Sequence, residues 1–204
     1  QIKSRCEEDA ERIAREKESC EKDLAEAQPF VDQAETAISS IKPAHIGEIK
    51  KLPNPADIIK LVFDCVLILF MSPLHAAKAF KLNIAKQEVN FVETSFKPYG
   101  LSLMSDPRFL QNVIDFGKVG KDQINEETIE LLCPYIDLEG FTSQVAKNAS
   151  AAAEGLCTWV RAMKSYHEAS KIVKPKLEAL GIAEAQMDRA KQALNAAEKR
   201  LDEC

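Results

Sequence analysis

Glycine is scarce in this chain, 7 of 204 residues, which leaves few freely turning points and favours helix. No apolar run approaches the roughly 18 residues a membrane helix needs. The best stretch, Ile58 to Met71, is too short and is interrupted by Lys60 and Asp64. No basic-then-apolar leader opens the chain. The first residues already read as helix, so a piece of a longer protein is expected. No two cysteines form a C-x-x-C pair, which argues against a zinc site. Gly-rich phosphate loops, G-x-S-x-G and H-E-x-x-H are all missing. The three histidines, His45, His75 and His167, stand far apart without carboxylates at ligand spacing, and read as surface or satisfied core residues. Neither an enzyme nor a cofactor or metal site is expected.

What the chain has instead is the same kind of helix at both ends. In the outgoing arm, Ala10, Ile13, Lys17, Cys20, Leu24, Ala27, Val31, Ala34, Ile38 and Ile41 recur every three or four residues. In the return arm, Leu180, Ala183, Met187, Ala190, Leu194, Ala197, Leu201 and Cys204 do the same. This is the apolar seam of a coiled coil. Two such arms in one chain most simply fold back as an antiparallel hairpin. The expected fold is therefore all-α: a coiled-coil stalk of residues 1–41 and 173–204 bearing a small helical-bundle head of residues 42–172. Pro29 should loosen one turn of the first arm. Lys17 on the seam weakens packing and can help set register.

Charge is uneven. Residues 1–41 carry six basic and eleven acidic side chains, residues 42–97 eight lysines against five acids, and residues 122–139 six acids and no base. The early head is thus basic within a chain of net charge −5. A basic patch can steer an acidic partner; a solvated lysine face fits the same composition. Of the six cysteines, Cys65 and Cys157 lie in apolar helical runs and read as small hydrophobes in a reducing compartment. Cys6 and Cys204 fall on the seam near the two ends. In an antiparallel hairpin they are candidates for a disulfide that locks one register.

Between the arms, Pro43, Gly47, Pro53 and Pro55 leave room for one short helix, about Ala44–Lys51. Asn54-Pro55 then reads as N-cap and first helical residue of an apolar helix running to about Met71. Residues 72–97 change character. Phe80–Ile84 and Val89–Glu93 alternate around Ala85–Glu88, which predicts a β-hairpin at about 78–94; a loop with an irregular helix is the alternative. Short helices are expected at Asp106–Phe116 and Asn125–Leu132. Thr142 is expected to cap the last helix, which passes through Trp159 and Tyr166 to Pro175 and the return arm. Ile58–Leu69 and the stripe Leu156, Trp159, Val160, Met163 are the expected core.

Three stretches resemble one family. Ile41-Lys42-Pro43-Ala44-His45-Ile46-Gly47-Glu48-Ile49-Lys50, then Asn54-Pro55 and the apolar helix, is similar to the start of the microtubule-binding domain of dynein heavy chains. Asp106-Pro107-Arg108-Phe109-Leu110 is a second match. The third is Asn148–Ala153 with Leu156-Cys157-Thr158-Trp159-Val160, Tyr166 and Pro175. Their order, spacing and coiled-coil flanks cover essentially the whole chain. The long 72–97 segment resembles the extra flap hairpin of some axonemal dyneins.

The resemblance implies a helical head on the stalk of an ATP-driven motor, with microtubules (α/β-tubulin) and the rest of the heavy chain as partners. It implies a ciliary or flagellar axoneme as location, and neither nucleic acid nor membrane as partner. Carried over by position, it implies a microtubule face of Lys42, Glu48, Lys50 and Lys51, with Arg108 near it. Gln144 and Asn148 fall where other members often carry charge, and Lys147 beside them can substitute. Pro43 stands where a second lysine is common. Lys78, Lys81 and Lys86 would make the flap an auxiliary contact. The alternative is a non-motor coiled-coil hairpin whose head docks another protein, as in a scaffold or tether. The alanine-rich seam also suggests weak commitment to one register. A half-heptad slip of four residues moves a helix by roughly 6 Å, which would let a remote ATPase set track affinity.

Overall fold

The computed structural model describes residues 2–71, 79–84, 87–92 and 94–203; for Ile2, Pro98 and the two strands it describes the backbone alone. The chain is all-α, with one antiparallel strand pair. The helices are α1 (Ile2–Ser39), α2 (Pro43–Lys51), α3 (Asp57–Leu69), α4 (Leu101–Met104), α5 (Phe109–Lys118), α6 (Glu126–Ile136), α7 (Ser143–Ala149) and α8 (Ala151–Glu203). A π turn, Phe96–Gly100, precedes α4, and a 3-10 turn, Gly120–Gln123, follows α5. Strand β1 (Ala79–Ile84) pairs with β2 (Gln87–Val92) from Ala79–Val92 to the innermost pair Ile84–Gln87. The chain divides into two compact units. One runs from Pro29 to His167; the other is built from the chain ends, up to Gln28 and from Glu168.

In the unit of the chain ends, Ile13, Cys20, Val173 and Leu180 form a buried cluster flanked by Leu24, Leu177, Ala183 and Met187. Lys17 Nζ lies 3.3 Å from Glu184 Oε2. Cys6 lines a cavity with Met187, Leu194 and Asn195. Residue numbers thus fall along α8 as they rise along α1, so the two segments run antiparallel. The outer seam positions Ala10, Ala190, Ala197 and Leu201 are exposed, Leu201 by 76%. Alanine gives a facing helix little to cover. Cys6 already stands beside Leu194 and Asn195, so residues near 201 face no described part of α1. Both prolines are housed inside helices, Pro29 in α1 and Pro175 in α8.

In the other unit α3 is the core. Every residue from Ile58 to Leu69 except Lys60 is buried. Phe63 meets Phe96 edge-on at 5.6 Å and Phe109 at 6.0 Å between ring centroids. Phe70, at the end of α3, meets Trp159 of α8 at 6.1 Å. The second expected stripe, Leu156, Trp159, Val160 and Met163, is buried throughout.

Three helix starts differ from expectation, those of α3, α5 and α8. The N-cap of α3 is Ala56 rather than Asn54, and Pro55 lies outside the helix. Pro53 and Pro55 each bias the residue before them away from helical backbone, which delays the start. Thr142 caps α7 and not the last helix, its hydroxyl accepting from Val145 N–H. The backbone then opens at Ser150, whose own hydroxyl accepts from Ala153 N–H to begin α8.

Candidate microtubule-binding surface

Helix α2 is built to be short and exposed on one side. Pro43 sits at its first position, where a missing N–H costs nothing. Lys42 N–H donates to His45 Nδ1 at 3.2 Å, so the histidine closes the first turn. Ile46 and Ile49 anchor it inward. That leaves Lys42, Glu48, Lys50 and Lys51 exposed.

The segment before α5 is shaped by Asp106. Its Oδ1 accepts from Arg108 N–H at 2.8 Å and its Oδ2 from Asn112 Nδ2 at 3.3 Å. This turn delays the helix to Phe109, later than the expected Asp106 start, and leaves Arg108 exposed. Lys50 shares a groove with Pro43, Ile46, Asp106, Pro107 and Leu110. The structure therefore brings α2 and the Asp106–Leu110 turn together.

Gln144, Lys147 and Asn148 are also exposed, on α7. Gln144 Nε2 donates to Asn148 Oδ1 at 3.3 Å, so the two amides are engaged with each other. Helix α7 packs on α3 and is tied to α8 through Ser143 and Thr158, whose hydroxyls are 2.8 Å apart. None of these contacts reaches the α2 groove. Lys78, Lys86 and Cys204 lie outside the described residues, as do the side chain of Lys81 and all of His75. Cys6 is a free, partly buried thiol.

Three other described cations of this unit are already used. Lys60 pairs with Asp57 at 3.6 Å and Lys118 with Glu35 at 3.5 Å, while Lys121 lies over the Tyr166 ring at 5.1 Å. Among the described residues, no ion pair involves Lys42, Lys50, Lys51, Arg108 or Lys147. These cations face solvent and remain available to an acidic partner. His167, by contrast, is satisfied by Glu126 at 3.3 Å.

Sequence reasoning missed Asp64. It looks like an interruption of an apolar run, yet it is buried, accepting from Ser95 N–H at 2.8 Å and Tyr135 hydroxyl at 3.0 Å. Its partners lie 31 and 71 residues away, beyond any local pattern.

The Pro29–His167 unit is thus a helical body with unpaired, exposed cations, one of which, Lys50, lines a groove. The chain belongs to the family described as the microtubule-binding stalk of dynein motors, whose model matches residues 5–204. It is 40% identical over 192 residues to the Dynein gamma chain, flagellar outer arm, of Chlamydomonas reinhardtii, covering 94% of this chain and 4% of that protein. It is 34% identical over 190 residues to Dynein axonemal heavy chain 5 of Rattus norvegicus, covering 93% and 5%. It is also 34% identical over 181 residues to Dynein axonemal heavy chain 3 of Homo sapiens, covering 88% and 4%. The chain thus spans about a twentieth of the length of these relatives. No helix among the described residues is long and apolar enough to cross a membrane.

Proposed function

We propose that this chain is the track-binding end of an axonemal dynein heavy chain, and that it grips tubulin through α2 and the Asp106–Leu110 turn. The observation that carries this reading is the set of exposed, unpaired cations gathered there: Lys42, Lys50, Lys51 and Arg108. Glu48 sits among them and would select against misplaced acidic partners. Lys147 on α7 supplies a further contact, with Gln144 and Asn148 beside it as polar neighbours. Catalysis belongs to a remote part of the parent motor, and this piece contributes binding.

Microtubule surfaces are acidic, so binding should be steered and salt-sensitive. Each exposed ion pair contributes only about 0.2–1 kcal/mol, so affinity is a sum over several. The double variant Lys42→Ala/Lys50→Ala should therefore bind polymerised tubulin roughly two- to thirtyfold more weakly. Co-pelleting across a salt series checks this. Binding indifferent to salt, or unchanged in the double variant, would refute the electrostatic grip.

The paired strands, which lie against α3, serve as a flap, with Lys78, Lys81 and Lys86 as its contacts to the track. Replacing about residues 76–94 by a short linker should leave the helical unit folded and lower microtubule affinity or alter the spacing of bound molecules. A replacement that changes no microtubule property would remove the flap from the mechanism.

The antiparallel segments of α1 and α8 act as a coiled-coil stalk whose register reports the state of the distant ATPase. Supporting this, the seam is loosely covered at Ala10, Ala190 and Ala197, and its Lys17–Glu184 pair is half exposed and contributes little. By linkage, a register that favours the track is favoured by the track in return. A Cys6–Cys204 bridge would need residue 204 to replace Asn195 beside Cys6, a slide of nine residues or roughly 13 Å. That is about twice the half-heptad slip, so such a bridge would lock a more strongly displaced register, and non-reducing peptide mapping after oxidation tests for it.

A further inference from the structure

The insert leaves the helical unit after α3 and returns at Thr94, directly before Ser95. Strand β1 lies against α3. The return point is held by a carboxylate from the middle of α3. Asp64 is 1% exposed, and each of its two oxygens takes a different partner: Oδ1 takes Ser95 N–H at 2.8 Å, and Oδ2 takes the Tyr135 hydroxyl of α6 at 3.0 Å. Ser95 is itself 2% exposed. Its carbonyl accepts from Tyr99 N–H and Gly100 N–H at 3.2 Å each, which opens the π turn. A π turn is an uncommon local geometry that marks functional positions. One buried carboxyl thus ties together the core helix, α6 and the end of the insert.

An aliphatic residue here would pack without burying a carboxyl, which is expensive unless fully bonded, but it would leave the buried Ser95 N–H and Tyr135 hydroxyl without this acceptor. Leu61, Val62, Phe63, Val66 and Leu67 fill the surrounding helix. The bonds to Asp64 therefore serve placement rather than burial. We propose that Asp64 is the positioning residue of the flap, fixing through Ser95 where the strand pair sits when its lysines reach the track. This rests on the reading of the flap as an auxiliary tubulin contact.

The protonation state of Asp64 bears on the test. Burial pushes its carboxyl up from 3.8 to about 7, against the opposing effect of the Ser95 and Tyr135 hydrogen bonds. Tyr135 of α6 faces it, raised far above its ordinary value chiefly by burial, so it stays a neutral donor. Cys65 on α3 and Cys157 on α8 stand nearby, both raised by burial and neutral near pH 7. A carboxyl raised in the folded state stabilises it fully below the ordinary value, and this contribution fades as pH rises from about 4 to about 7. Above that range the buried charge favours states in which Asp64 reaches water. The clamp should therefore loosen with rising pH.

The test uses the whole chain, with Asp64→Leu, Asp64→Asn and a version in which residues 79–92 are replaced by a short linker. Amide hydrogen exchange, corrected for intrinsic chemistry, is followed at residues 87–97 and at α5. In the wild type, exchange at 87–97 should rise as pH goes from about 4 to about 7 and level off above that. Asp64→Asn keeps an acceptor for Ser95 but cannot ionise, and should flatten that rise. Asp64→Leu should raise exchange at 87–97 at every pH while leaving α5 unchanged, and should weaken microtubule affinity about two- to fivefold, the size of one exposed ion pair. In the linker version Asp64→Leu should change affinity no further. An equal loss with and without the strands, or unchanged exchange at 87–97, overturns the proposal. Should Asp64→Leu fail to fold, the pH profile of Asp64→Asn decides alone. If the linker version binds like wild type, the auxiliary contact fails, while the exchange readout still decides whether Asp64 positions the strands.

Discussion

Trp159→Ala should destabilise the helical unit by about 3–5 kcal/mol, the usual cost of deleting a fully buried aromatic side chain. The ring is 1% exposed. It stands edge-on to Phe116 of α5 at 5.6 Å and to Phe70 at 6.1 Å, so α8, α5 and the end of α3 all lean on it. Val31, Ile38, Ile114 and Met163 close the space around it. Relaxation into the void is limited, because Phe70 and Phe116 also contact each other at 5.5 Å and hold their places. For a chain of this size the loss corresponds to a melting point lower by roughly 6–20 °C. Trp159→Phe keeps most of the volume and should cost clearly less. Thermal melts followed by circular dichroism check both. An unchanged melting point in Trp159→Ala would overturn the assignment of this ring to the core.

The core was legible because it is written in local pattern. An apolar stretch with few gaps, bounded by prolines, can only be an interior helix, and α3 is that. The short α2 was legible for the same reason, since Pro43 and Pro53 bracket it. Cap positions were harder. Asn54-Pro55 has the right chemistry for a helix start, but a second proline two residues earlier biases the backbone toward extended forms. Asp106 resembles a helix beginner, yet its carboxylate is spent on a turn that holds Arg108 out. The break at Ser150 lies in a run of small residues with no proline or glycine to mark it.

The candidate surface divides along the same line. That Lys42, Lys50 and Arg108 are exposed follows from their local patterns. That Lys50 shares a groove with Asp106 and Pro107 depends on how α2 and α5 meet, which periodicity does not encode. Asp64 was illegible in kind. A charge inside an apolar helix reads as a defect until Ser95 and Tyr135 are seen to satisfy it.

Gly155→Val should cost about 1–3 kcal/mol and weaken microtubule binding, because it intrudes where two backbones nearly touch. Gly155 is buried in α8. A Cβ placed there would fall 2.9 Å from Ile41 Cδ1 and 3.1 Å from the Ala37 carbonyl oxygen. The isoleucine can rotate away, but the carbonyl belongs to the last turns of α1 and cannot. In an open helical site, Gly→Ala gains roughly 1 kcal/mol of helix propensity. Here that gain is opposed by the contact with Ala37, so Gly155→Ala should be close to neutral. Valine adds two methyls against the same wall and must push the end of α1 outward. Only Ser40 and Ile41 separate that helix from Lys42, so the displacement carries α2 and its exposed lysines with it. Melting and co-pelleting on the same samples distinguish the outcomes. A valine variant as stable as wild type would mean that the α1–α8 approach is loose. One that is destabilised yet binds microtubules normally would detach the position of α2 from affinity.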